Sequence, residues 1–288
     1  MPISSITTHT GSSPGPTVTI LGATHGDEPG GVRIVERLRN YLDSQLFYGT
    51  VNLGIGNPEA YKRRSRSADP DSNTNMNRVF TAKRLLDPQP RSRDVLRAQE
   101  LAPLLAKTDY LIDLHATSLP SEPFLCFGLN PEKHSPLTRF APVQRILIDS
   151  NHFMGKELGT TDAYVDRSGG IGICYETGQW SNLLQQDKAY KGVLNMLQGI
   201  GVIPNGAAVT VPSQQIYTIV AQGKAKSATF TFAPRASHNW APIKCREYIG
   251  SHGHSTAELA THNGVILFQV RKEHIRPNGF LYSIAAPV

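Results

Sequence analysis

The chain of 288 residues has only three cysteines, Cys126, Cys174 and Cys245, widely spaced and with no C-x-x-C pair. That argues against a disulfide framework or a cysteine zinc site and fits a reducing compartment. Long apolar runs are also missing. The longest stretches, such as Gly264-Val-Ile-Leu-Phe268, fall far short of the ~20 residues a membrane helix needs. The first 32 residues hold no Lys, no Arg and no apolar core of a leader, so no secretory signal is expected. There is no internal repeat and no low-complexity tract. No basic stretch interleaves with aromatics in the manner of a single-strand nucleic-acid binder. What is present is ordinary globular material, with 39% hydrophobic and 18% charged residues, which excludes a disordered or fibrous chain. The expectation is a soluble cytoplasmic protein with neither membrane nor nucleic-acid partners.

The order of patterns along the chain suggests an α/β unit followed by β structure. Met1 to Pro16 is rich in Ser, Thr, Gly and Pro and reads as a loose arm. Thr17 to Thr24 reads as a buried strand, and Pro29 suits the first turn of a helix carried by Val32, Val35, Leu38, Leu42 and Leu46. Val51 to Ile55 predicts a second strand, Ser65 to Asn75 an irregular loop, and Asp94 to Ala106 a second helix. Further strands are expected at Tyr110 to His115, Phe124 to Gly128 and Gly172 to Glu176, with a helix placed around Leu137 to Ile148 and another from Leu183 to Leu197. Alternation of this kind predicts a mixed, largely parallel sheet flanked by helices. After Pro204 only short β-rich runs remain, so a small all-β domain is expected over 206–288, behind an α/β domain over 1–205. The formal charge of +6 is uneven: 1–205 carries 21 basic and 20 acidic side chains, 206–288 carries 8 and 3.

Four local features carry chemistry. In Gly22-Ala-Thr-His25-Gly-Asp-Glu28, a His and a Glu three apart sit where a buried strand meets a helix, so both can aim at one point. Short motifs of this kind are often ordinary turns. The second feature shifts the balance, because His115 ends another buried strand, at the sheet edge where α/β proteins bind ligands. Two His and one Glu form the ligand set of catalytic hydrolytic zinc sites. Glu176, just beyond an apolar run, is a single carboxylate placed to act as base and then as acid. Asn77-Arg78 follows a long polar loop and can reach into a cleft to bind a carboxylate, with Tyr164 and Arg167 approaching from the other side. Two look-alikes fail. Asp69 to Asn75 lacks the sixth-position Gly and twelfth-position Glu of a calcium loop, and His252-Gly-His254 has no acidic partner in sequence.

Taken in order, these motifs resemble the succinylglutamate desuccinylase/aspartoacylase family, a branch of the zinc carboxypeptidase fold. The resemblance rests on Gly22 to Gly31, Asn57-Pro58-x-Ala60 through Arg66, Asn77-Arg78 with Phe80, Asp113-Leu-His115 and Glu176-x-Gly178, across residues 18 to 180. It implies one Zn2+ per chain held by His25, Glu28 and His115, with Glu176 activating a water. It also implies that Arg66 helps polarise the scissile carbonyl, and that Asn77 and Arg78 grip the carboxylate of an N-acyl amino acid. Arg167 and Tyr164 match the family's substrate-binding pair with the spacing off by one. The sequence departs from the family pattern at Asn75, where Asp is usual, and in a longer loop from Ser67 to Thr74. Both leave the natural substrate open.

The reading that follows is a zinc-dependent deacylase for a small anionic N-acyl amino acid. A carboxypeptidase-like peptidase would use the same site. A third reading, a binding protein for an acidic partner with a vestigial metal site, draws on the basic C-terminal part. More ordinarily, that part caps the cleft or supports contacts between copies of the chain.

Overall fold

A computed structural model describes residues 5–69, 74–128, 130–153, 157–211, 213–253 and 256–288. The tip of the long loop, 70–73, and His254 therefore lie outside the described residues, and with them most of the failed calcium pattern and half of the His252-Gly-His254 pair.

The strands are β1 (Ile6–Thr10), β2 (Thr17–Gly22), β3 (Thr50–Ile55), β4 (Tyr110–Thr117), β5 (Phe124–Cys126), β6 (Arg145–Ile148), β7 (Ile171–Gln179), β8 (Gln215–Lys224), β9 (Phe230–Phe232), β10 (Ala241–Ile243), β11 (Tyr248–His252), β12 (Thr256–Leu259), β13 (Gly264–Leu267) and β14 (Phe280–Pro287). The helices are α1 (Gly30–Ser44), α2 (Pro58–Arg63), α3 (Ala82–Leu85), α4 (Arg93–Leu105), α5 (Pro131–Thr138), α6 (Thr161–Arg167) and α7 (Leu183–Gly199). Eleven strands form one mixed sheet in the order β1-β3-β2-β4-β7-β5-β6-β8-β14-β13-β10, and a separate antiparallel sheet runs β12-β11-β9. The run β3-β2-β4-β7 is parallel, as the alternation of strands and helices predicts.

Both faces of that parallel core are covered. Ile20, Leu53, Ile112 and Ile173 face Ile34, Val35 and Leu38 of α1 and Val193 and Leu197 of α7. Leu21 and Leu111, one residue along on their strands, face Val95, Ala98 and Leu101 of α4 and Val165 of α6. Strands buried on two sides need no alternation, which is why they read as short continuous apolar runs.

Two expectations are corrected. The N-terminal arm is not loose throughout, since Ile6–Thr10 pairs antiparallel with β3 along the sheet edge. The helix placed at 137–148 is instead α5, ending at Thr138, followed by strand β6. Pro142 lies between them without an N–H to donate, and β-branched Ile146 and Ile148 suit a sheet. The short helices α2 and α6 were not foreseen, because six or seven residues show too little periodicity. Their caps are visible in hindsight: the Asn57 side chain accepts from Ala60 N and the Thr160 hydroxyl from Ala163 N.

The expected β-rich structure after residue 205 is present. Four of its strands prolong the main sheet, with β8 pairing parallel to β6, and the rest form the small sheet. Among the described residues no helix is long and apolar enough to cross a membrane.

Candidate active site

His25 is delivered by a strained turn at the end of β2. Ala23 holds a left-handed φ of 52°, which a side chain rarely adopts. Hydrogen bonds on either side fix it: Gly56 N donates to Gly22 O, and Asn57 N donates to Ala23 O. Gly26 cannot be replaced without displacement, because a Cβ there would lie 2.0 Å from the Ala60 carbonyl carbon. The turn therefore packs directly on α2, and Pro29 then opens α1 with Glu28 just before it.

His115 and Glu176 are neighbours across the β4–β7 ladder. Immediately beyond them the register slips, so that Thr117 faces Gln179. The extra residue lies in the Thr177-Gly178 step, and Gly178 has a φ of 88°. The glycine of Glu176-x-Gly178 thus permits a bulge, a device that re-aims side chains beside active sites. Thr177 Oγ1 donates to His115 O at 2.8 Å and fastens it.

The three expected ligands converge. His25 Nδ1 lies 3.0 Å from Glu28 Oε1, His115 Nδ1 lies 3.0 Å from Glu28 Oε2, and the two Nδ1 atoms are 3.2 Å apart. The outward nitrogens are engaged. His25 Nε2 is 3.0 Å from Asn75 Oδ1, and His115 Nε2 is 3.2 Å from Asp113 Oδ2. Both partners are acceptors, so a proton on Nε2 of each neutral imidazole would leave a lone pair facing inward on Nδ1. Two lone pairs and a carboxylate meeting in a buried spot suit a divalent cation. The spacing does as well, since tetrahedral Zn–N bonds of ~2.0–2.1 Å place neighbouring ligand atoms about 3.3 Å apart. The residues present fit a metal ion. Burial would raise Glu28, but the His25 and His115 imidazoles outweigh it and hold the carboxyl well below its usual range. Burial, joined by the charge of Arg66, lowers His25.

Supporting groups surround this triad. Asp113 is fully buried and accepts from Thr24 Oγ1 at 2.7 Å and from Thr161 Oγ1 at 2.5 Å. It lies two residues before His115 on the same strand face, which sequence periodicity could have disclosed. Asn75 also accepts from Asn77 N at 2.9 Å, capping the turn that bears Asn77 and Arg78. Ala116 N donates to Glu28 Oε2 at 3.1 Å.

Glu176 stands beside the triad, only 9% exposed. Burial, reinforced by the nearby Glu28 carboxylate, pushes its pKa up to about 7. A carboxyl poised there exchanges protons readily near neutrality. His25, Glu28, His115, Asn75 and Glu176 line a cleft of about 1510 Å³. Arg66 lines it and places its NH1 3.0 Å from Glu28 Oε1. Asn77 and Arg78 line it too; the Asn77 amide is held by Thr161 N at 2.9 Å and faces His115 Nε2 at 3.4 Å.

Arg167 and Tyr164 are not brought to the cleft lining. Arg167 donates to Leu158 O and Phe80 O, at 2.9 and 2.6 Å, and Tyr164 packs on Phe80 with ring centres 5.7 Å apart. The one-residue offset in spacing has a structural counterpart: α6 turns these side chains toward the segment after Arg78 rather than into the cleft. Other cleft residues had no signal in the sequence. Cys126 and Cys174 face one another across β5 and β7, and Asp162 at the start of α6 is raised by burial to about 6. From the β-rich part, Arg271 and Arg276 reach the cleft, with Arg271 NH2 donating to Ser118 O at 3.0 Å.

Comparison with known proteins agrees with this geometry. The profile of the succinylglutamate desuccinylase/aspartoacylase catalytic domain matches residues 14–200. Among curated proteins, a probable aspartoacylase of Acaryochloris marina is 31% identical over 104 residues, and one of Nostoc sp. is 29% identical over 108. These matches span 35% of this chain and only 35% of each relative's length. Solved structures agree over nearly the whole chain. A succinylglutamate desuccinylase from Silicibacter sp. TM1040 superposes with a TM-score of 0.75 at 18% identity, covering 98% of this chain and 88% of that one. An aspartoacylase family protein from Mesorhizobium loti gives 0.71 at 20% identity, with coverage of 98% and 88%. At such identities the structures establish the fold, and the profile match establishes the kinship. The chain belongs to the succinylglutamate desuccinylase/aspartoacylase family.

Proposed function

We propose that the protein is a zinc-dependent hydrolase that cleaves the amide bond of an N-acyl amino acid. The observation that carries this reading is the meeting of the His25, His115 and Glu28 donor atoms beside a carboxyl, Glu176, held near pKa 7. His25, Glu28 and His115 would hold one zinc ion per chain, which would supply Lewis acidity toward the amide carbonyl and lower the pKa of water toward ~7. Glu176 removes a proton from the attacking water and delivers it to the leaving amine nitrogen, using one carboxylate as base and then as acid. Its pairing directly across the ladder from His115 supports that role.

The surrounding groups select and orient. Arg66 moves its guanidinium from Glu28 to the scissile carbonyl oxygen, where negative charge grows in the transition state. Arg78 and the Asn77 amide bind the substrate carboxylate. Asn77 is preset for this by Thr161, and so loses little freedom on binding. Residues 1–205 then contain every proposed catalytic side chain, while residues 206–288 supply part of the cleft wall through Arg271 and Arg276.

Replacing Glu176 with Gln tests the reading. Turnover of an N-acyl amino acid should fall to background while zinc stays bound; turnover retained by that variant would overturn the assignment. The cleft exceeds the ~300–1,000 Å³ usual for small ligands. That size favours a second reading, a carboxypeptidase-like peptidase with a C-terminal carboxylate on Arg78. Assaying short peptides beside N-acyl amino acids separates the two.

A further inference from the structure

One buried, fully bonded carboxylate is not among the proposed catalytic residues. Asp94, in the first turn of α4, is completely buried, and both carboxylate oxygens are saturated by neutral donors. Oδ1 accepts from Asn57 Nδ2 at 2.8 Å and from Ala68 N at 3.0 Å. Oδ2 accepts from Ser67 Oγ at 2.5 Å and from Thr74 Oγ1 at 3.0 Å. Four bonds fill the lone-pair sites of a carboxylate.

The positions of the donors give this arrangement its meaning. Ser67 and Ala68 follow Arg66 directly. Thr74 precedes Asn75 directly, and Asn75 holds His25 Nε2 and caps the turn of Asn77 and Arg78. Asn57 caps α2, whose far end leads back to Arg66. One buried side chain thus ties both ends of the long loop and its approach. The helix start adds a second clamp of the same kind. Asp69 Oδ2 accepts from Ser92 Oγ at 3.1 Å and from Arg93 N at 2.6 Å, and Ser92 Oγ donates to Thr74 Oγ1 at 3.0 Å.

We propose that Asp94 is a positioning residue that sets Arg66 and the Asn75–Arg78 turn against the metal triad, acting through the two loop ends it binds. A carboxylate suits this task better than an amide. Asn would offer one acceptor oxygen, and the Ser67 and Thr74 hydroxyls would have to reverse to meet its NH2. Ala would abandon four donors at once. Small displacements matter here, because a shift of about 1 Å in a catalytic group can cost ~100-fold in rate. The inference rests on the deacylase reading for its kinetic consequence, while its structural consequence stands apart from that reading.

The test uses the full-length zinc-loaded protein and the variants Asp94→Ala, Asp94→Asn and Thr74→Val. Each is combined with Arg66→Ala, with N-acetyl-aspartate and N-succinyl-glutamate as substrates and backbone hydrogen exchange recorded in parallel. Asp94→Ala should lower kcat/KM about 100-fold, with a raised KM, and Asp94→Asn should recover part of the loss. In the Arg66→Ala background the same substitution should cost less, because one of the two groups it positions is gone. Exchange should quicken at 66–69 and 74–78 but not at 18–22 in β2. If Asp94→Ala does not fold, Thr74→Val, which removes the hydroxyl's bonds to Asp94 Oδ2 and Ser92 Oγ, should show the same pattern at a few-fold scale. A loss of equal factor with and without Arg66 would mark a purely structural role and overturn the proposal. So would exchange unchanged at both loop ends. A wild-type protein that hydrolyses neither substrate, with exchange quickened at those two segments, would refute the choice of substrate and sustain the positioning role.

Discussion

Asn75 gives the sharpest prediction, because its side chain does two things at once. Its Oδ1 meets His25 Nε2 at 3.0 Å and Asn77 N at 2.9 Å. In Asn75→Ala the buried His25 loses the acceptor that fixes its tautomer, and an unsatisfied N–H at such a site costs about 1–3 kcal/mol. Loss of a ligand's hydrogen-bond partner typically weakens metal affinity ~10–100-fold, or about 1.4–2.7 kcal/mol, so the two figures agree. Asn75→Asp keeps the acceptor and adds a negative charge that makes the imidazole more basic. Zinc affinity should therefore rank Asp at or above the natural Asn, with Ala clearly below both. Competition with a chelator of known affinity, on protein stripped of metal and held at fixed pH and salt, measures all three. A circular-dichroism check that the Ala variant remains folded separates ligand orientation from unfolding. An Ala variant within twofold of the natural protein, or an Asp variant weaker than it, would refute the argument.

Two further predictions concern neighbouring groups. Burial and Glu28 hold Glu176 at about 7, so the base form is lost as pH falls through that value and kcat should decline on the acid side. A bound cation moves this limb lower, and a pH–rate profile shows it. The same shift has a stability sign. A carboxyl raised in the folded state favours folding below its unfolded value near 4.5, and that benefit is lost as pH rises through about 7. Metal-free Glu176→Gln should therefore melt higher than the natural protein at pH 8 and close to it at pH 5. Arg167→Ala removes bonds to Leu158 O and Phe80 O, so it should lower the melting temperature while leaving KM within about twofold; a tenfold rise in KM would place Arg167 on the substrate after all.

Much of the fold was legible because the parallel strands are buried on both faces, leaving short apolar blocks such as Val18 to Leu21 and Leu111 to Leu114. Helices α1 and α4 showed themselves by periodic burial. The triad was legible because two of its members end strands, where a polar residue after an apolar run stands out. What stayed hidden depends on contacts between distant segments. Asp94 looks like a routine acidic first-turn residue, and nothing in sequence shows that Ser67 and Thr74 fold back onto it. Cys126 and Cys174 are 48 residues apart and meet only through the β5–β7 pairing. That Arg167 stands outside the cleft lining was hidden because spacing along α6 does not reveal which way its face turns. Strand β6 was taken for helix because four residues after a proline carry too little pattern to reveal a period.

The most direct test of the whole account is metal content by elemental analysis of protein purified without added metal, for the natural chain, Glu176→Gln and His115→Ala. The account predicts about one zinc per chain in the first two and little in the third, since it assigns His115 Nδ1 as a ligand and Glu176 as a proton carrier alone. Zinc that survives His115→Ala, or a natural protein that neither carries nor takes up a divalent ion, would contradict it.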